Sequence, residues 1–252
     1  MISVKIKNSV SYITLNDPKS KNSLSYKLIK DLNYELKKSN ESSDIKCICI
    51  KGNENFFSSG ANLKEVIEFQ KQPNGKDDFI KEWEFLWKVN KPIIIGIQGY
   101  AVGGGLELSL MGDIICSTNE SLISQPEIKV GLMPGCGGTQ RLFDNIGYHN
   151  SMKYCLTGDY ISGKEAFNLG IIQYIFEKNS FNDDLEKLCS KISSLPLNAL
   201  INIKKSIKNA QSKSNLNDRI SYERELFYEC LNNENGIEGM SAFIEKRDAK
   251  FK

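Results

Sequence analysis

Histidine is nearly absent from this sequence: His149 is the only one in 252 residues. A lone imidazole argues against a Ser-His-Asp triad and against Cys/His nucleophilic catalysis. Cysteine occurs seven times but in no CxxC pair, so a ligand set for structural zinc is missing too, and no metal is expected. The odd cysteine count, with Cys47 and Cys49 on one face of a β-like run, favours reduced thiols in a core. A surplus of one charge is also lacking. Lys+Arg 33 against Asp+Glu 31 leaves a net +2, which sets up no global field for nucleic acid or an anionic membrane. A small anionic ligand would need a local basic site. No apolar run reaches spanning length, and the longest, Pro92 to Gly99, is strand-sized. The N-terminal MISVKIKNSVSYITL alternates apolar and polar residues as a strand does and lacks a signal-peptide core, so a cytoplasmic protein is expected.

A hydrophobic fraction of 40% is ample for a proper core in one large domain, with or without a smaller appendage. Strand-like runs fall at Val10–Leu15, Ile45–Lys51, Ile93–Gln98 and Ile114–Ser117, with helical stretches Ser25–Lys38 and Phe79–Val89 between the first three. Leu28, Ile29, Leu32 and Leu36 follow the spacing of one buried helix face. Strands recurring after helical crossovers predict an α/β fold with parallel pairing. Beyond about Phe181 the pattern is helix only: Asp183–Ser193, Leu197–Ser212, Leu216–Leu231 and Gly239–Phe251. Segments around Gln72-Pro73-Asn74-Gly75 and Ser212–Asn217 read as connections.

The chemistry concentrates after Lys91, where an apolar strand runs into Gly103-Gly104-Gly105 and then Leu106-Glu107. Glycines permit close approach to the backbone, and the first turn of a helix leaves N–H groups without partners, so this segment offers donors to an anion or oxyanion. Glu107 follows Gly104 by one turn and would share its face. The competing reading is a glycine-mediated packing contact with Glu107 solvated in the first helical turn. The spacing fits neither a P-loop nor GxGxxG. A second carboxylate stands in Ser124-Gln-Pro-Glu127, where proline holds an extended approach, although such an acid is commonly a surface residue. Two carboxylates in different environments can divide acid and base roles.

With Leu15-Asn-Asp-Pro-Lys-Ser-Lys-Asn-Ser-Leu24, Phe57-Ser-Ser-Gly-Ala-Asn-Leu-Lys64 and Gly236-Ile-Glu-Gly-Met-Ser-Ala-Phe-Ile-Glu-Lys-Arg247, these motifs make nearly the whole chain resemble the enoyl-CoA hydratase/isomerase (crotonase) superfamily, most of all its short-chain hydratases. The resemblance implies an α/β crotonase (ClpP/crotonase-like) spiral of repeated ββα units over residues 1–195, and a C-terminal helical trimerisation region over 196–252. It implies a homotrimer or dimer of trimers acting on an acyl-CoA thioester, with no cofactor beyond the coenzyme A of the substrate, no membrane and no nucleic acid. Ala61 and Gly104 match the oxyanion-hole amides, and Glu107 and Glu127 match both catalytic glutamates of true hydratases, with Glu107 as base and Glu127 as proton donor. Ser20, Lys21, Ser59 and Lys64 match coenzyme A contacts; Phe243 and Lys246, one turn apart on the last helix, match positions that close over the coenzyme A of a neighbouring subunit.

The segment Glu65–Val89 corresponds to a variable flap, and its Trp83, Leu86 and Trp87 are candidates for the acyl pocket, although aromatics at helical spacing commonly pack a core. Four departures stand out: Asn62 where aspartate is usual, Asp17 where arginine is common, and Leu106 and Ser124 where cysteine and glycine are frequent. The first suggests a looser oxyanion loop and the second a lost phosphate contact, while Leu106 and Ser124 are expected to reshape the acyl pocket. The expected reaction is reversible hydration of a 2-enoyl-CoA to a 3-hydroxyacyl-CoA. Alternatives are a dehydratase for a branched or carrier-protein-bound thioester, an enoyl-CoA isomerase, and, from another class, a non-catalytic RNA-binding relative. The small net charge argues against the last.

Overall fold

In the computed structural model, which describes residues 1–70 and 81–252, the alternating N-terminal run is a hairpin rather than one strand. β1 (Ile2–Lys7) and β2 (Val10–Leu15) pair antiparallel with Lys7 opposite Val10. Asn8 and Ser9 between them both hold positive φ, 50° and 58°, the requirement of a tight two-residue turn. Asn-Ser lacks the glycine that usually announces such a turn, and the alternation runs through it unbroken. α1 (Tyr26–Glu41) starts where Ser25 Oγ accepts from Leu28 N (3.2 Å) and buries Leu28, Ile29, Leu32 and Leu36, as their spacing predicts.

Three ββα turns follow. The first is β3 (Cys47–Lys51), β4 (Phe56–Ser58) and α2 (Leu63–Gln70). A 3-10 turn, Lys81–Glu84, and the short α3 (Phe85–Lys88) stand where one helix from Phe79 was expected; residues 79 and 80, with the Gln72–Gly75 loop, lie outside the described residues. The second turn is β5 (Ile93–Ile97), β6 (Tyr100–Val102) and α4 (Gly104–Ser109); the third is β7 (Ile114–Ser117), β8 (Leu122–Ser124) and α5 (Gly138–Thr157), which kinks at Gly147. β9 (Ile161–Ser162), α6 (Gly163–Asn168) and β10 (Tyr174–Ile175) complete the core. Among the described residues, one sheet runs β1-β2-β3-β5-β7-β10 and a second runs β4-β6-β8-β9. Each ββα turn therefore gives one strand to each sheet, and pairing between successive turns is parallel, as the crossovers predict. The second sheet escaped the sequence reading because its strands are only two or three residues long.

The main apolar cluster lies between α1 and the two sheets, joining Leu28, Leu32, Ile48, Ile50, Phe57, Ile95 and Leu106. A second fills the opposite face of the large sheet, where α7 (Phe181–Ser193) lays Phe181, Leu185 and Cys189 against Cys47, Cys49 and Cys116. All seven cysteines are free thiols, four of them buried, as expected. α8 (Leu197–Ser212), α9 (Leu216–Leu231) and α10 (Glu234–Glu245) form the C-terminal helical region. α8 is tied to the spiral by the buried Lys204 ammonium, which meets Asp113 Oδ2 at 2.7 Å and donates to Lys91 O at 2.9 Å. The last helix begins and ends earlier than the Gly239–Phe251 expected. Asn233 caps it by accepting from Asn235 N (3.0 Å), and Lys246 stops it with φ 56°. No helix among the described residues is long and apolar enough to cross a membrane.

Candidate active site

The site forms at one end of the small sheet, where β4, β6 and β8 run out side by side. Gly60 (φ 92°) and Gly103 (φ 54°) turn the chain sharply just beyond β4 and β6, a geometry that side chains resist. The turns bring the next two backbone nitrogens together. A Cβ built on Gly104 would lie 3.4 Å from Ala61 N, and one built on Gly60 would lie 3.4 Å from Gly104 N. Leu24 N donates to Gly60 O (2.8 Å) and Gly60 N to Ser58 Oγ (3.1 Å), which pins the first turn. Asn62 does not loosen it: its Oδ1 accepts from Lys64 N (3.2 Å) and its Nδ2 donates to Glu65 Oε1 (3.1 Å), so it anchors the start of α2. As the first residue of α4, Gly104 has no intrahelical acceptor for its N–H.

Glu107, one turn further along α4, is 3% exposed, which rules out the solvated-surface reading. Its Oε1 accepts from Cys136 N (2.7 Å) and Gly138 N (2.9 Å), two amides at the start of α5. Burial raises the proton affinity of the carboxyl, while those two amides and the Arg141 charge pull it back down. Glu127 begins the 3-10 turn after Pro126, and its Oε1 lies 3.0 Å from where a Cβ on Gly103 would stand. Burial pushes its pKa up to about 7; its own backbone N–H opposes this and the Glu107 charge adds to it. Gln125, 1% exposed, has its amide oriented with nitrogen toward Glu127, donating to Oε1 and Oε2 at 3.1 and 3.2 Å. One buried carboxylate held by amides and another half protonated near neutral pH thus flank a pair of backbone donors. Such a group can take a proton from water and deliver one to a carbon while an adjacent oxyanion is held.

Ser20, Lys21 and Ser59 are brought together at the mouth of this end: Ser59 N donates to Lys21 O (3.0 Å) and Ser59 Oγ to Ser20 O (3.2 Å). Lys64 is exposed near the start of α2. Asp17 is tied to Asn22 twice: its N–H donates to the side-chain Oδ1 at 2.7 Å and its carbonyl accepts from Asn22 N at 2.9 Å. Phe243 is 86% exposed on α10, but Lys246 lies past the helix in left-handed conformation, so the two do not share a helix face. Trp83 and Leu86 are core residues at 2% and 1% exposure. The Trp83 ring abuts Gly104, whose added Cβ would meet Cζ3 at 2.5 Å, so it backs the donor pair from inside the core. Trp87 borders a cavity beside the Glu107 cradle, about 320 Å³, with Glu84, Cys136 and Arg141. Leu106 and Ser124 are fully buried; Leu106 belongs to the main core and Ser124 Oγ donates to Gly158 O (3.1 Å). Gly135-Cys-Gly-Gly-Thr-Gln-Arg141, which supplies the two amides, carries no expected role from sequence. Its signal was the one already used at Gly103–Gly105, glycines opening a helix.

Residues 5–252 match the family model described as enoyl-CoA hydratase/isomerase. The chain is 37% identical over 241 residues to a probable mitochondrial enoyl-CoA hydratase of Dictyostelium discoideum, covering 96% of this chain and 87% of that protein. It is 37% identical over 245 residues to the mitochondrial enoyl-CoA hydratase of Pongo abelii, covering 97% and 84%. The crystal structure of an enoyl-CoA hydratase from Bacillus anthracis superposes with a TM-score of 0.92 at 29% identity, covering 100% of this chain and 98% of that one.

Proposed function

The chain belongs to the enoyl-CoA hydratase/isomerase family, and from that membership we propose that it is a hydro-lyase interconverting a 2-enoyl-CoA and a 3-hydroxyacyl-CoA. The observation that carries this reading is the pair of glutamates, Glu107 and Glu127, set beside the adjoining amides of Ala61 and Gly104. In the proposed reaction the thioester oxygen rests between the two N–H groups. Glu107 takes a proton from water as the water oxygen bonds to Cβ, the double bond's electrons move toward the thioester oxygen, and Glu127 gives its proton to Cα. Glu107 ends protonated and Glu127 ionised, and proton exchange resets them. The reverse sequence removes water.

Ser20, Lys21, Ser59 and Lys64 are proposed to carry the coenzyme A, which enters as part of the substrate, so no separate cofactor is invoked. Residues 1–195 would form the catalytic spiral and 196–252 the surface for a homotrimer or a dimer of trimers. Ile203, Ile207, Phe227, Ile237 and Ile244 are all more than half exposed, apolar area of the kind a partner covers. Phe243 and Lys246 would then reach a neighbour's coenzyme A. The reading is tested by hydration of crotonyl-CoA: Glu107→Gln and Glu127→Gln should each lower kcat by at least about 10²-fold. Full activity in either variant would overturn it.

A further inference from the structure

Arg141 stands one turn into α5, and its guanidinium folds back onto the turn that precedes the helix. Nη1 donates to Cys136 O at 2.7 Å. A Cβ on Gly137 would fall 2.2 Å from that same Nη1, so the glycine is what lets the guanidinium close down. The Cys136 residue is held at both ends, its carbonyl by Arg141 and its N–H by Glu107 Oε1 (2.7 Å), while Gly138 N supplies the second bond to that oxygen (2.9 Å). The guanidinium is itself fixed against Trp87, with Cζ 5.1 Å from the ring centroid, and Lys208 Nζ from α8 lies 4.1 Å from the same centroid. We propose that Arg141 is a positioning residue for Glu107, clamping the Cys136–Gly138 turn so that two amides stay aimed at one carboxylate oxygen.

The inference rests on the reading of Glu107 as the base. A planar guanidinium suits the task, because it donates in its plane while its face packs on an aromatic ring, which an ammonium cannot do. The ionisable groups around Glu107 are Glu127, Cys155 and Arg141. Arg141 in turn faces Glu84, Asp144 and the Cys136 thiol, and Lys208 faces Lys204, Asp113 and Arg141. Removing the guanidinium leaves Glu107 with its burial but without the charge, and frees the turn to rotate its amides away. Both changes raise the proton affinity of the carboxyl.

The test follows the Glu107 carboxyl by ¹³C NMR through a pH titration, assigned with Glu107→Gln, beside crotonyl-CoA hydration kinetics. In Arg141→Gln the Glu107 titration should move to higher pH and kcat should fall by roughly 10²-fold, the size expected when a reacting group is displaced, with KM little changed. Arg141→Lys keeps the charge but loses the fork, so its titration should move up by less than in Arg141→Gln while kcat still falls. Native titration and native kcat in Arg141→Gln overturn the clamp, as does native kcat in Arg141→Lys. If the unaltered protein hydrates no enoyl thioester, the hydratase reading fails while the titration still decides the clamp.

Discussion

Replacing Gly138 by alanine sets two effects against each other and sends them to different observables. Gly138 opens α5 with no left-handed backbone to strain, so alanine gains helix propensity of up to about 0.5–1 kcal/mol. The new Cβ, however, would stand 2.9 Å from Glu107 Oε1, 3.0 Å from Glu107 Cγ and 2.9 Å from the end of the Gln125 amide. Glu107 Oε1 and the Gln125 amide are side-chain ends that can shift, so Gly138→Ala is expected to fold. The carboxylate must retreat from the amide of the very residue that displaces it. Losing one hydrogen bond to a charged group corresponds to about 1.5–3 kcal/mol, and at tenfold per ~1.4 kcal/mol that is roughly 10–100-fold in kcat. Hydration of crotonyl-CoA, followed by the absorbance of the conjugated thioester, measures the loss, and a thermal melt should show Tm within about 3 °C of native. Activity within about threefold of native would show that the two amides do not align Glu107 for catalysis.

In the proposed reaction Glu127 must be protonated to deliver its proton during hydration, so kcat/KM in that direction should decline as pH rises through about 7, and Glu127→Gln should abolish that limb. A limb unchanged in Glu127→Gln assigns it to another group. Because burial raises Glu127 above its unfolded value of about 4.3, its contribution to stability is complete below that pH and is lost as pH rises through about 7. Urea melts of native protein and Glu127→Gln across that window should converge at the acid end. Asp113→Ala strands the Lys204 ammonium with only the Lys91 carbonyl and frees Ile93 N, which donates to the same Asp113 oxygen at 2.7 Å. The expected loss is about 3 kcal/mol, the low end for a broken buried pair because Asp113 is 27% exposed, read as a lower urea midpoint with unchanged slope. A loss under about 1 kcal/mol would show that the pair does not anchor α8.

The sequence carried the large sheet and α1 well, because Leu28, Leu32, Ile48 and Ile95 each declare a period over a full element. It concealed the small sheet, whose strands are too short to show alternation, and the first hairpin, whose turn lacks glycine. The glutamate pair was legible only through motif resemblance: nothing local in Ser124-Gln-Pro-Glu127 announces burial, which the packing of α5 and the Gln125 amide provides. Arg141 was invisible for a related reason. An arginine on a helix reads as solvated charge until Gly137 is seen to let it fold back over the chain. Trp83, set beside Trp87 as a possible pocket wall, belongs to the core, and only its contact with Gly104 gives it a place near the chemistry.

The small sheet has a further consequence. Ala61, Gly104 and Glu127 each sit two or three residues beyond β4, β6 and β8, strands that neighbour one another in the sheet. Adjacent strands keep a spacing of about 4.8 Å fixed by the peptide backbone alone. Donor, donor and acid are therefore mounted like rungs, at intervals no side chain has to measure. The chain between one rung and the next can lengthen, shorten or change its apolar lining without altering the distance between them. On the proposed reading, a scaffold of this kind would take on a new acyl group by remodelling what lies between the rungs, with the groups proposed to hold the oxygen and move the proton left in place.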